Sequence, residues 1–136
     1  IPEAIDHIQL LAFNHVILNQ IKHKIPEIQL QVVTLARYND LLSAVQASQA
    51  SCVCCEYEFV HVDDLRRYKK AGLGVRLFLH TIKDGLYPLE QYAQRFGYPV
   101  ENEIVCWLKE GLIDMLSHDD IDYLKKLIIK AGLNWG

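Results

Sequence analysis

Cys52-Val53-Cys54-Cys55-Glu56-Tyr57-Glu58-Phe59-Val60, followed by residues 63–71, Gly72-Leu73-Gly74 and residues 75–82, is the stretch that decides the fold. Its first nine residues are mostly apolar, with β-branched and aromatic types among them, and read as a strand. Residues 63–71 read as a helix, and Gly72 stands where helices commonly close. Residues 75–82 form a second apolar run and predict another strand. Working outward, residues 28–35 (Ile-Gln-Leu-Gln-Val-Val-Thr-Leu) are a further strand, followed by a helix carrying Leu41, Leu42, Val45 and Ala47 with Asn39 or Asp40 as its cap. The first strand is residues 8–13. After it, Asn14 caps a helix marked by Val16, Ile17, Ile21 and Ile25, and Pro26 stops the pattern. Beyond residue 84 the spacing predicts helices over residues 88–96 and 104–109, separated by the turn Gly97-Tyr98-Pro99. A short fifth strand is expected over residues 112–116. A last helix starts at Asp119 or Asp120, carries Ile121, Leu124, Leu127 and Ile128 as its apolar stripe, and ends at Gly132. Strand and helix alternating with short links predict an α/β fold of parallel βα repeats with right-handed crossovers.

Composition narrows the function classes. The chain has 136 residues, enough for one hydrophobic core, and residues 1–136 are read as a single α/β domain or a barrel fragment. With 51% apolar and 23% charged residues it belongs with globular proteins rather than disordered ones. A net charge of −3 gives no general attraction to nucleic acid phosphates. No apolar run approaches the ~20 residues of a membrane-spanning helix. Three of the four cysteines crowd into Cys52, Cys54 and Cys55, a poor disulfide framework, so a reducing, cytoplasmic compartment is expected. The opening Ile1, in place of Met, reads as a boundary made by processing or by excision from a longer chain.

In a parallel α/β sheet, ligands gather beyond the carboxyl ends of the strands, where loops and helix N-termini converge. That directs attention to Asn14, His15, Thr34, Glu56, Glu58 and the run from His80 to Asp84. Alternation along a strand places Cys52, Cys54, Glu56 and Glu58 on one face, with Val53, Cys55, Tyr57 and Phe59 on the other. Two carboxylates two residues apart can bind a divalent cation or serve as acid and base, and the plain alternative is that they run out of the core into solvent. The cysteines lack the two spaced pairs of a structural zinc site and read as small buried apolar groups. His7, His23 and His61 read as surface residues. His80, closing an apolar strand, reads either as a base within reach of a ligand or as a hydrogen-bonded structural imidazole. A phosphate-binding G-x-x-x-x-G-K-[ST] loop, a dinucleotide fingerprint, a G-x-S-x-G elbow and the acidic cluster of a receiver domain are all missing from the sequence.

The order of segments resembles one family. Ala12-Phe13-Asn14-His15 before a helix is similar to the Ser-Phe-(Asn/Asp)-His segment after the fifth strand of glycerophosphodiester phosphodiesterases. Lys24-Ile25-Pro26-Glu27-Ile28 looks like that family's entry to its sixth strand, and Gly72-Leu73-Gly74-Val75 like its entry to the eighth. Gly111-Leu112-Ile113-Asp114-Met115-Leu116-Ser117 resembles its closing Gly-Val-Asp-Gly-Ile-Ile-Thr segment. The resemblance implies the second half of a TIM (β/α)8 barrel, a fold of ~250 residues. It implies hydrolysis of a glycerophosphodiester to an alcohol and glycerol 3-phosphate, an activity of lipid metabolism, with Ca2+ or Mg2+ as cofactor. Phe78 would then pack against the glycerol, Asn14 and His80 would supply polar substrate contacts, and Glu56 would stand near the metal. The family's His-Arg-Gly, Glu-x-Asp and second catalytic His are absent from these residues, so no catalytic residue is read here. Activity would require four further strands, from an N-terminal segment or from a second copy. A chain of this kind is expected to leave a sheet edge and an apolar face open. Some positions depart from the pattern. Phe78 replaces a Trp, Thr81-Ile82-Lys83-Asp84 aligns only with a two-residue insertion, and Ile113, Asp114 and His118 stand where Asp, Gly and Asp are expected. The competing expectation is a non-catalytic α/β binding or oligomerisation module, either a degenerate barrel half or a flavodoxin-like sheet.

Overall fold

The computed structural model describes residues 2–135. A short helix α1 (Pro2–Ile5) precedes the first βα unit, and no sequence signal marks it. The chain then runs β1 (Gln9–Ala12), α2 (His15–Lys24), β2 (Gln29–Thr34), α3 (Leu41–Ala47), β3 (Cys52–Glu56), a 3-10 turn (Tyr57–Phe59), α4 (Val62–Lys70) and β4 (Gly74–Phe78). It continues through α5 (Pro88–Phe96), α6 (Glu101–Lys109), β5 (Met115–Ser117) and α7 (Ile121–Lys130). All five strands are parallel and pair in chain order, β1-β2-β3-β4-β5. A doubly wound sheet reverses its strand order at a switch point, and none occurs among the described residues, so the flavodoxin-like alternative is excluded. Successive right-handed crossovers in one direction put the helices on one face and curl the sheet into part of a TIM-type barrel.

Side-chain alternation shows which face is which. Leu30, Val32, Val53, Cys55, Val75 and Leu77 point to the helices and join one core with Leu18, Val45, Leu65, Ile104, Leu124 and Leu127. Their strand neighbours Gln31, Cys52, Cys54, Glu56, Arg76 and Phe78 occupy the concave face. Burial pushes the Cys52 thiol up to about 11 and raises those of Cys54 and Cys55, so these groups sit in the sheet as small neutral residues.

Local chemistry explains most element ends. The Asn14 side chain accepts from Ile17 N–H at 3.1 Å, the Asp40 side chain from Ser43 N–H at 3.1 Å and the Asp120 side chain from Tyr123 N–H at 3.0 Å, each opening a helix. Helix α4 begins one residue earlier than the hydrophobic pattern suggests. There His61 is the cap, and Asp64 accepts from the His61 N–H at 3.0 Å, so His61 has a structural task at the surface. Gly97 closes α5 in the left-handed region at φ 80°.

Two strand boundaries differ from expectation in ways that matter. The third strand stops at Glu56, where the chain tightens into a 3-10 turn, so Glu58 is not on the strand. The fifth strand lies at Met115–Ser117, starting three residues and ending one residue later than expected, because Leu112 and Ile113 are used in the helix-side core and Asp114 ties the chain to β4. Asp114 Oδ2 accepts from Val75 N–H at 2.8 Å and pairs with Lys69 Nζ at 2.7 Å, while Asp114 N–H donates to Val75 O at 2.9 Å. With five strands present, an eight-strand ring lacks three rather than four.

Candidate functional site

The carboxyl rim of β3 and β4 gathers the charged groups of interest. Glu56 is the last residue of β3, Glu58 lies in the turn that follows, and His80 stands two residues beyond β4. One donor atom from each of the three lies within 4.8 Å of the others. The alternative in which both carboxylates run into solvent does not hold: Glu56 is 4% exposed as a residue, and the Glu58 side chain is 6% exposed. The strand does not produce this by alternation alone. A 3-10 turn at Tyr57 brings Glu58 back toward the strand end, and Arg95 from α5 pairs with its Oε2.

His80 Nε2 is the ion-pair partner of Glu56 Oε1, yet that oxygen receives no well-directed hydrogen bond. Burial pushes the Glu56 carboxyl above its ordinary range, His80 and Arg95 pull it back, and the Glu58 charge adds to the rise. Tyr92, fully buried, accepts the His80 backbone N–H on its hydroxyl at 2.9 Å and lies with its ring 5.3 Å from the imidazole. Gln91 donates to Thr81 O at 2.7 Å and Leu86 O at 2.9 Å, so α5 lies over the loop leaving β4. A cleft of about 450 Å³ opens beside the cluster, lined by Glu58, His80, Lys83, Asp84, Gln91 and Arg95.

The other expected substrate residues do not join this cleft. Phe78 is opposite Glu56 in the strand register but lines a separate cavity of about 400 Å³ with Arg76, Thr81, Ser117 and His118. Asn14 lies at the rim two strands away, its side chain engaged as the α2 cap. Sequence reasoning passed over Tyr92 and Arg95. They sit three residues apart on α5, the spacing that places both on one face, and that face meets the rim.

The donor set fits a divalent cation: two carboxylates and one imidazole converge, one oxygen is buried without a directed donor, and a cleft gives access.

The class of protein these features define is the parallel βα barrel, represented here by five consecutive units with the charged residues at the carboxyl rim. Among solved structures the chain is similar to a protein from Galdieria sulphuraria assigned as a glycerophosphodiester phosphodiesterase. The two align with a TM-score of 0.63 and 12% identity, over 94% of this chain and 45% of that one. It is likewise similar to a protein from Silicibacter pomeroyi assigned as a glycerophosphoryl diester phosphodiesterase, with a TM-score of 0.67 and 14% identity, over 94% of this chain and 40% of that one. The chain thus has the fold of part of these barrels and spans less than half of their length. No protein-family model and no curated protein matches the sequence.

Proposed function

We propose that these residues are the carboxyl-terminal part of a glycerophosphodiester phosphodiesterase-like hydrolase, a single α/β unit forming one wall of a pocket for a small phosphodiester. One observation carries this reading: an open, one-directional series of βα units whose rim buries Glu56 and Glu58 beside His80. Carboxylates repel a phosphodiester, so a cation must stand between them. Bound Ca2+ or Mg2+ would neutralise phosphate charge and acidify a water molecule. Within that arrangement Glu56 is the ligand this chain contributes and His80 supplies a polar contact, while Phe78 and Asn14, which lie outside the cleft, would reach substrate only across the completed rim. The acid and base would come from the strands that complete the ring, carried by a preceding segment or a second copy. Four cysteines present as thiols, three of them buried, suit a reducing cytoplasmic setting. Among the described residues no helix is long and apolar enough to cross a membrane.

The test is choline release from glycerophosphocholine by the complete natural gene product, with Ca2+ or Mg2+ added. Metal-dependent turnover that falls at least tenfold in Glu56→Gln is the expected result. A complete product that leaves the substrate intact would overturn the reading in favour of the binding or oligomerisation module. The exposed Leu10, Leu11 and Phe13 at the β1 edge are the observation that favours that alternative.

A further inference from the structure

We infer that Glu56, Glu58 and His80 form a metal site complete within this chain, selecting a borderline transition ion such as Zn2+ over the Ca2+ or Mg2+ of the hydrolase reading. The inference rests on the placement of the rim cluster in that reading, replaces its metal and makes His80 a ligand, and is independent of any hydrolysis. Three observations support it. The three donors come from one β3–β4 rim and lie within 4.8 Å of one another, so no absent strand is needed to assemble them. Glu56 Oε1 is buried and touches His80 Nε2 without a directed hydrogen bond, so an ion that displaces this contact would engage both atoms. Arg95 engages only Oε2 of Glu58 among its two oxygens, and it is the sole fixed cation paired with either carboxylate among the described residues. Two carboxylates against one guanidinium leave a net negative charge when the imidazole is neutral.

The donor types set the preference. Ca2+ takes six to eight oxygens and Mg2+ keeps most of its waters, whereas an imidazole with carboxylates in a three-ligand set suits Zn2+ with one position left open. Tyr92 fixes the His80 backbone and packs on its ring, which orients the imidazole toward the carboxylates. The cleft of about 450 Å³ beside the cluster gives the open position room for a ligand.

The experiment is calorimetric titration of the 136-residue protein with Zn2+, and separately with Mg2+ and Ca2+, beside a Co2+ absorption spectrum. One Zn2+ per chain is expected, bound at least tenfold more tightly than Mg2+ or Ca2+. His80→Ala and Glu58→Gln should each weaken Zn2+ by about tenfold or more, the scale set by loss of even an outer-shell partner. The Co2+ spectrum should lack a thiolate charge-transfer band, and Cys106→Ser should bind as the parent does. Should Glu56→Gln fail to fold by circular dichroism, the other two variants decide. No stoichiometric Zn2+ binding, unchanged affinity in both of those variants, or loss of binding in Cys106→Ser would overturn the inference. Because no substrate is present, a protein that binds Zn2+ but never cleaves a phosphodiester fails the hydrolase reading alone.

Discussion

Asp64 illustrates how one side chain serves two purposes. Burial favours its neutral form, but the hydrogen bond from Arg37 Nε at 2.7 Å and the His61 N–H at 3.0 Å outweigh this and hold its carboxyl below the ordinary range. A depressed carboxyl stabilises the fold above its unfolded pKa of 3.8, and that contribution is lost as pH falls through the lower folded value. Asp64→Asn should therefore cost about 2 kcal/mol in urea unfolding at pH 7. The gap to the parent should narrow below pH ~3.8. A constant gap across that range would show that the pair with Arg37 is not what stabilises α4. Tyr92 offers a second residue-level test. Removing its hydroxyl in Tyr92→Phe strands the His80 N–H, at a cost of about 1–2 kcal/mol in chemical denaturation. It should also loosen the imidazole, read as altered line widths of the His80 ring in NMR spectra.

Between elements, the joint of β4 with β5 depends on a residue that the family pattern would fill with glycine. Asp114 bridges Val75 N–H and Lys69, and Val75 is fully buried. Asp114→Ala should cost about 1–3 kcal/mol through the stranded amide. Hydrogen exchange should reveal the loss first at Met115–Ser117. The βα alternation, all five strands and three helix caps, two of them to within one residue, were legible in the sequence, since each depends on local periodicity or a capping side chain. Asn14, Asp40 and Asp120 are such cases. The candidate site was only half legible. Glu56, Glu58 and His80 stand at strand ends and could be named, but their convergence depends on a 3-10 turn and on α5 folding back over the rim. Both are long-range outcomes, with Arg95 meeting Glu58 across 37 residues. Strand ends were overrun for a related reason. Apolar residues such as Leu112 and Ile113 are buried without being paired in the sheet, and hydrophobicity alone does not separate the two conditions.

At the level of the whole molecule, the sheet has two edges, β1 and β5, unpaired among the described residues. β1 is mostly exposed, and Leu10, Leu11 and Phe13 present 37%, 49% and 61% of their surface to solvent. An edge strand with unpaired backbone groups and apolar side chains is a template for association. The 136-residue protein should accordingly show a concentration-dependent rise in sedimentation coefficient. Leu11→Lys, which puts a charge on the concave side of β1, should suppress it without lowering the melting temperature by more than a few degrees. A sedimentation profile identical in parent and variant would remove the β1 edge from consideration.

The concave face also constrains whatever shares its space. Arg76 there donates to Ser117 Oγ at 2.5 Å and, among the described residues, pairs with no carboxylate, while Gln31 is buried with its carbonyl oxygen unsatisfied. The buried Gln31 amide demands a complementary group, and the partly exposed Arg76 guanidinium would demand one too once covered. Any strands that were to close the lumen would therefore need inward-facing acceptors and donors at that depth, or room for trapped water, and an oily set of staves would not seal it.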